Sequence, residues 1–159
     1  MDLAALLRRM SASARARDPQ AFSECFTEDA VYHDYIYGDH TGRASIADMF
    51  GHYFLRDAAR YDWEFFDPVC DGTTGYASSL STFVSTIPEF EGRRVVIDGI
   101  SRLRLRDGLI ADYAESVNGG VAMVQLGVHP DRIAKVLRRW AEQLKARPQT
   151  LAYLARTGA

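Results

Sequence analysis

Three short segments, DGTTG, PEFEG and RDG, punctuate the chain after Arg60 and constrain its fold more than any other feature. Each carries the glycine, proline or aspartate chemistry of a reverse turn, and the runs between them have the length of strands. Those runs are YDWEFFDPVCDG, GYASSLSTFVST, RRVVIDGISRLRLR and LIADYAESV. Their β-branched and aromatic content at meander spacing predicts three or four antiparallel strands. In the third run Ile97, Gly99, Ser101, Leu103 and Leu105 share the face expected to look inward, and Asp98, Ile100, Arg102, Arg104 and Arg106 share the other. In the last run Leu109, Ala111, Tyr113, Glu115 and Val117 fall on one face, which makes Glu115 a carboxylate in an apolar row.

Ahead of these strands the apolar period is helical. Leu3, Leu6, Leu7, Met10 and Ala14 form one stripe, with Arg8, Arg9 and Arg15 toward water. Asp18 and Pro19 supply a cap and a first helical residue for a short second helix, whose expected buried face is Phe22, Cys25 and Phe26. The segment AVYHDYIYG reads as a strand ended by the turn GDHTG, and Ile46, Met49, Phe50, Tyr53 and Phe54 give a third helix. SVNGG reads as a bend leading to a tail helix, HPDRIAKVLRRWAEQLKARP, with Ile133, Val136, Leu137, Trp140 and Leu144 on its apolar stripe. Its basic residues, Arg132, Lys135, Arg138, Arg139, Lys145 and Arg147, read as a solvated face. Helices first and a curved antiparallel sheet afterwards predict an α+β domain with helices covering one sheet face.

Composition narrows the class. A length of 159 residues fits a single domain, and 19 basic against 21 acidic residues argue against a partner made of nucleic acid or acidic membrane. Two cysteines without CxxC spacing predict neither a disulfide framework nor a zinc site. The start MDLAALLRRM lacks the layout of a leader, and no run approaches the ~20 apolar residues of a membrane span, so a cytoplasmic protein is expected. Four histidines without HxH or HxxxH spacing predict no metal.

The string FTEDAVYHDYIYGDHTGRASIADMF and the hairpin RLRLRDGLIADY, in this order of elements, resemble the nuclear transport factor 2-like superfamily. The resemblance spans about residues 3–118. It implies a single SnoaL-like domain over residues 1–159, of cone-shaped, cystatin-like α+β fold, with the helical extension at 119–159. Ketosteroid isomerase, scytalone dehydratase, limonene epoxide hydrolase and the SnoaL-like polyketide cyclases share that fold. By this resemblance Asp34 takes the position of the isomerase general base. Met10 and Ser101 take the positions of its two electrophilic groups, a tyrosine and a neutral aspartic acid, which disfavours true steroid isomerisation. Glu115 takes the position of one epoxide-hydrolase aspartate. The strand that carries the other charged groups in those enzymes corresponds to GYASSLSTFVST, which has no charge, so the limonene-type reaction is disfavoured.

Two carboxylates, Asp34 and Glu115, are therefore expected on one concave face. Desolvation raises the pKa of a carboxyl in an apolar setting and makes it a usable base or acid. Asp34 is the candidate base, and Glu115 the second acid or substrate-orienting group. Tyr32 and Tyr113 share their faces and are candidate donors to an enolate, with Ser101, Tyr53, Trp63 and Phe83 as candidate pocket residues. The bland alternatives are a turn role for Asp34, an arginine partner for Glu115 and simple packing for the aromatics. His33 is expected on the opposite face from Asp34, His40 in the turn, and His52 at a pocket or the surface. Cys25 is expected to be a core thiol, and Cys70 lies on a strand with burial left open. The leading reading is a cofactor-free isomerase, cyclase or dehydratase acting on a small, mostly apolar or polyketide-like carbonyl compound in an enclosed pocket. The competing reading is a module of the same fold that binds a hydrophobic ligand or dimerises. Arg102, Arg104 and Arg106 beside Asp98 suit the face of a homodimer.

Overall fold

The computed structural model describes residues 2–34 and 36–158; Met1, Tyr35 and Ala159, which the readings above include, lie outside them. The chain forms two compact units, Met1–Leu126 and Gly127–Ala159. In the first, Asp2 accepts the N–H of Ala5 and starts α1 (Leu3–Ala16), which ends where Arg17 turns left-handed. Asp18 caps α2 (Pro19–Ser23), β1 (Phe26–Asp34) and β2 (Gly38–Thr41) form a hairpin, and α3 (Arg43–Met49) follows. A wide turn of helix at Phe50–Phe54 joins α3 to α4 (Leu55–Asp57). The meander then runs β3 (Ala58–Cys70), β4 (Thr74–Ser85), β5 (Arg94–Arg106) and β6 (Leu109–Val117), and α5 (Gly119–Leu126) closes the unit.

The six strands form one sheet in the order β2-β1-β6-β5-β4-β3. The expected α+β architecture and meander are present, with one difference that positions the site. β1 runs parallel to β6, placing Tyr32 opposite Tyr113 and His33 opposite Ala114. The sheet is therefore mixed.

Packing on the concave face follows the predicted stripes. Leu3, Leu6, Leu7, Met10 and Ala14 of α1 are buried with Phe22, Phe26, Phe50, Trp63, Leu103 and Ile110. Phe22 stacks on Phe50 with ring centroids 4.2 Å apart, and Arg17 donates to the carbonyls of Leu55 and Ala58 at 2.8 Å, tying α1 to the start of β3. Gly99 is required on β5, because a Cβ there would lie 2.7 Å from the Ser116 carbonyl oxygen of the neighbouring strand. The outward residues Tyr76, Leu80, Val96 and Ile100 remain exposed.

Cys25 and Phe26 are buried but outside α2, since the helix stops at Ser23 and Phe26 opens β1. GDHT is a short strand paired to β1, so His40 lies opposite Tyr32. On β6 the register shifts between Arg104 and Leu105, pairing Leu105 with Ile110 and leaving Ala111 as the extra residue. Ile110 therefore takes the buried position expected of Leu109 and Ala111, while Tyr113 and Glu115 keep theirs. Asn118 accepts the N–H of Val121 and starts α5 where SVNGG read as a bend. The Gln125 amide then bonds both the N–H and the carbonyl of Val96, at 2.9 and 2.8 Å, in place of a strand neighbour. Cys70 is exposed.

The second unit holds two helices, α6 (Pro130–Ala146) and α7 (Pro148–Thr157), each begun by a proline that needs no N–H partner. α7 is additional to the tail helix expected. Neither contains a buried residue, and Leu137, Leu144, Leu151 and Tyr153 are exposed. Among the described residues no helix is long and apolar enough to cross a membrane.

Candidate functional site

The parallel β1–β6 pairing builds the site. One residue beyond the His33–Ala114 pair it carries Asp34 alongside Glu115, and on β5 Ser101 faces Glu115 from the other side. Behind the carboxylates the Tyr32 and Tyr113 rings stack at 4.6 Å, an arrangement that adds about 0.5–1.5 kcal/mol to their area burial. Trp63 meets Tyr113 edge-on at 6.0 Å. Six of the predicted residues, Asp34, Glu115, Tyr32, Tyr113, Ser101 and Trp63, thus lie together. Tyr53 stands beside them, stacked on Tyr37 at 4.8 Å and 6.1 Å from the His40 ring. Phe83 sits farther along β4, opposite Val95, and makes no ring contact with these aromatics among the described residues.

Hydrogen bonds divide the two acids. Asp34 is buried, and its Oδ1 accepts the backbone N–H groups of Ile36 and Tyr37 at 2.7 and 2.6 Å. The turn role is therefore real, but among the described residues it leaves Oδ2 without a hydrogen bond. Tyr113 donates to Glu115 Oε2 at 3.3 Å, and its oxygen lies 2.7 Å from Ser101 Oγ. With the single phenolic proton directed at Glu115, Ser101 donates to Tyr113, giving a chain from serine to phenol to carboxylate. Neither acid forms an ion pair with an arginine among the described residues.

Burial sets the electrostatics. It is the largest influence on Glu115, whose pKa is pushed up to about 7, with the charge of Asp34 next and the Tyr113 hydrogen bond opposing. Asp34 is also raised by burial, against the lowering effect of the Tyr37 and Ile36 N–H groups and of His40. Tyr32, Tyr61 and Tyr113 are pushed well above the ordinary phenol value by burial first and then by Glu115, so all three remain protonated donors. A carboxylate beside a carboxylic acid, ringed by phenols, can both take and give a proton near neutral pH.

Two members were missed from sequence. Tyr61 lies two residues before Trp63, and that period placed it on the same inward face. His40 was hidden because GDHTG has turn composition. His33 points the other way, as expected, with Nδ1 2.8 Å from Asp39 and Nε2 3.0 Å from Asp112; Arg102 joins the same aspartate at 2.8 Å. His52 pairs with Asp48 at the surface, and Met10 is wholly buried among the core residues.

The fold is the nuclear transport factor 2-like, ketosteroid isomerase-like α+β fold. Residues 7–113 match the SnoaL-like domain family, and the chain belongs to it. No curated protein matches the sequence. Solved structures of similar fold include TsrD from Streptomyces laurentii, with a TM-score of 0.69 at 18% identity over 81% of this chain and 99% of that one. A hypothetical protein with a ketosteroid isomerase-like fold from Catenulispora acidiphila, in complex with trimethylamine, gives a TM-score of 0.71 at 16% identity over 79% and 95% of the two chains. A candidate polyketide cyclase from Xanthomonas campestris gives 0.64 at 21% identity over 77% and 94%.

Proposed function

We propose that this SnoaL-like chain is a cofactor-free acid–base enzyme acting on a small, mostly apolar carbonyl compound, by isomerisation, cyclisation or dehydration. The observation that carries the reading is the placement of Asp34 beside Glu115 within one cluster of buried phenols, with no arginine ion pair to either acid among the described residues. Asp34 takes a proton from the carbon next to the carbonyl. The C–H electron pair becomes a carbon–carbon double bond, and the carbonyl π pair moves to oxygen. Protonated Glu115 then gives its proton to an enolate carbon, where the carbon–carbon π pair forms the new C–H bond as the carbonyl re-forms, and the Ser101–Tyr113 chain holds its carboxyl in place. Similarity in fold to a candidate polyketide cyclase supports a polyketide-like substrate, and the small inward side chains Ala77, Ser79 and Ser81 on β4 support an enclosed pocket.

The test is the pH profile of catalysed deuterium exchange at the α-carbon of cyclic ketones of one to three rings. The rate is expected to rise as Asp34 ionises and to fall near pH 7 as Glu115 loses its proton. A profile without the fall at neutral pH removes Glu115 as the acid.

A homodimer through the outer sheet face belongs to the same proposal. Exposed Tyr76, Leu80, Val96 and Ile100 lie there with Arg104 and Asp98. Sedimentation equilibrium is expected to return twice the chain mass, and the single-chain mass rejects the dimer.

A further inference from the structure

Among the described residues, two buried polar atoms in the site have no hydrogen-bond partner, Tyr32 Oη and His40 Nε2. Such atoms are rare, because leaving a donor or acceptor dry and unsatisfied costs about 1–3 kcal/mol. Their residues are neighbours in the hairpin. Tyr32 and His40 are opposite one another on the β1–β2 hairpin, so their side chains leave the same face, and Asp34 lies two residues beyond Tyr32 on that face. Tyr32 is completely buried, and the His40 ring packs near Tyr53.

We infer that Tyr32 Oη and His40 Nε2, with the imidazole proton on Nε2, are the two donors that hold the carbonyl oxygen of the substrate. The inference rests on the carbonyl chemistry proposed above and assigns it a binding point. With the proton on Nε2 both side chains end in a donor, and a carbonyl oxygen can accept from both at once. The charge developing on that oxygen during proton removal falls on pre-placed donors, which is where hydrogen bonds assist such a step most. Closeness to Asp34 fits as well, since the α-proton lies only two bonds from the carbonyl carbon. Ser101 Oγ and the Tyr113 hydroxyl are engaged with one another, which leaves the carbonyl oxygen to the hairpin pair.

The experiment compares two probes of nearly equal shape, 2-tetralone and tetralin, which differ by the carbonyl oxygen. Binding is measured by NMR titration of the wild type, Tyr32→Phe, His40→Leu and His40→Gln. The wild type is expected to prefer the ketone by more than about tenfold, and Tyr32→Phe and His40→Leu each to remove about tenfold of that preference while leaving tetralin affinity unchanged. His40→Gln, whose amide N–H reaches the place of Nε2, is expected to recover most of it. Equal wild-type affinity for both probes, unaltered ketone binding in the variants, or a parallel loss of both probes overturns the inference. Binding is read without turnover, so a ketone preference carried by these two residues, with no catalysed exchange, rejects the acid–base reading and keeps the oxygen site.

Discussion

Asn at position 34 is expected to lower catalysed α-deuteration of cyclic ketones by about a thousandfold, in the range that a positioned general base contributes. The substitution separates chemistry from architecture. Asn keeps the Oδ1 acceptor used by the Ile36 and Tyr37 N–H groups, so the turn after β1 persists, and only the basic oxygen is replaced by an amide. Ketone affinity should therefore stay within about threefold of the wild type, and the unfolding midpoint should change little. Kinetics with Asp34→Asn and wild-type protein side by side decide between base and turn residue. An unchanged rate leaves Asp34 with the turn alone.

The second large effect concerns stability. Burial and the neighbouring Asp34 raise the Glu115 pKa from 4.5 to about 7, so the folded state resists ionisation more than the unfolded chain does. Below about pH 4.5 the group is protonated in both states and costs nothing. As pH rises from there to about 7 the unfolded chain sheds this proton first, and stability falls by roughly 3 kcal/mol before levelling off. The groups facing Glu115 are Asp34, Tyr32, Tyr61 and Tyr113, and the phenols stay protonated throughout this window. Glu115→Gln removes the titration and keeps an acceptor for Tyr113. Its urea stability should match the wild type at pH 4.5 and exceed it by about 2–3 kcal/mol at pH 8. An equal difference at both pH values contradicts a raised pKa.

Much of this arrangement was legible in residue order because it rests on local rules. Turn chemistry at DGTTG, PEFEG and RDG delimits the meander, and a period of two puts Tyr113 with Glu115 and Tyr32 with Asp34. The face assignment of Glu115 was correct although Leu109 and Ala111 were placed wrongly, because the extra residue at Ala111 precedes it. The rest depends on distant pairing. Nothing local marks β1 as the parallel neighbour of β6, yet that contact is what sets one carboxylate beside the other. His40 was obscured for a related reason. A four-residue edge strand of glycine, aspartate, histidine and threonine has no apolar run, and only its pairing with β1 turns the histidine toward Asp34. The short helix α5 hid similarly behind two glycines, its start fixed by the Asn118 side chain.

The central claim, that two carboxylates share one buried cluster, is tested most directly by following the Glu115 carboxyl carbon by 13C NMR across pH, with the assignment made from Glu115→Gln. The midpoint is predicted near 7 in the wild type and lower in Asp34→Asn, where the neighbouring charge is gone. A wild-type midpoint near 4.5, or one that Asp34→Asn leaves unmoved, contradicts the paired site.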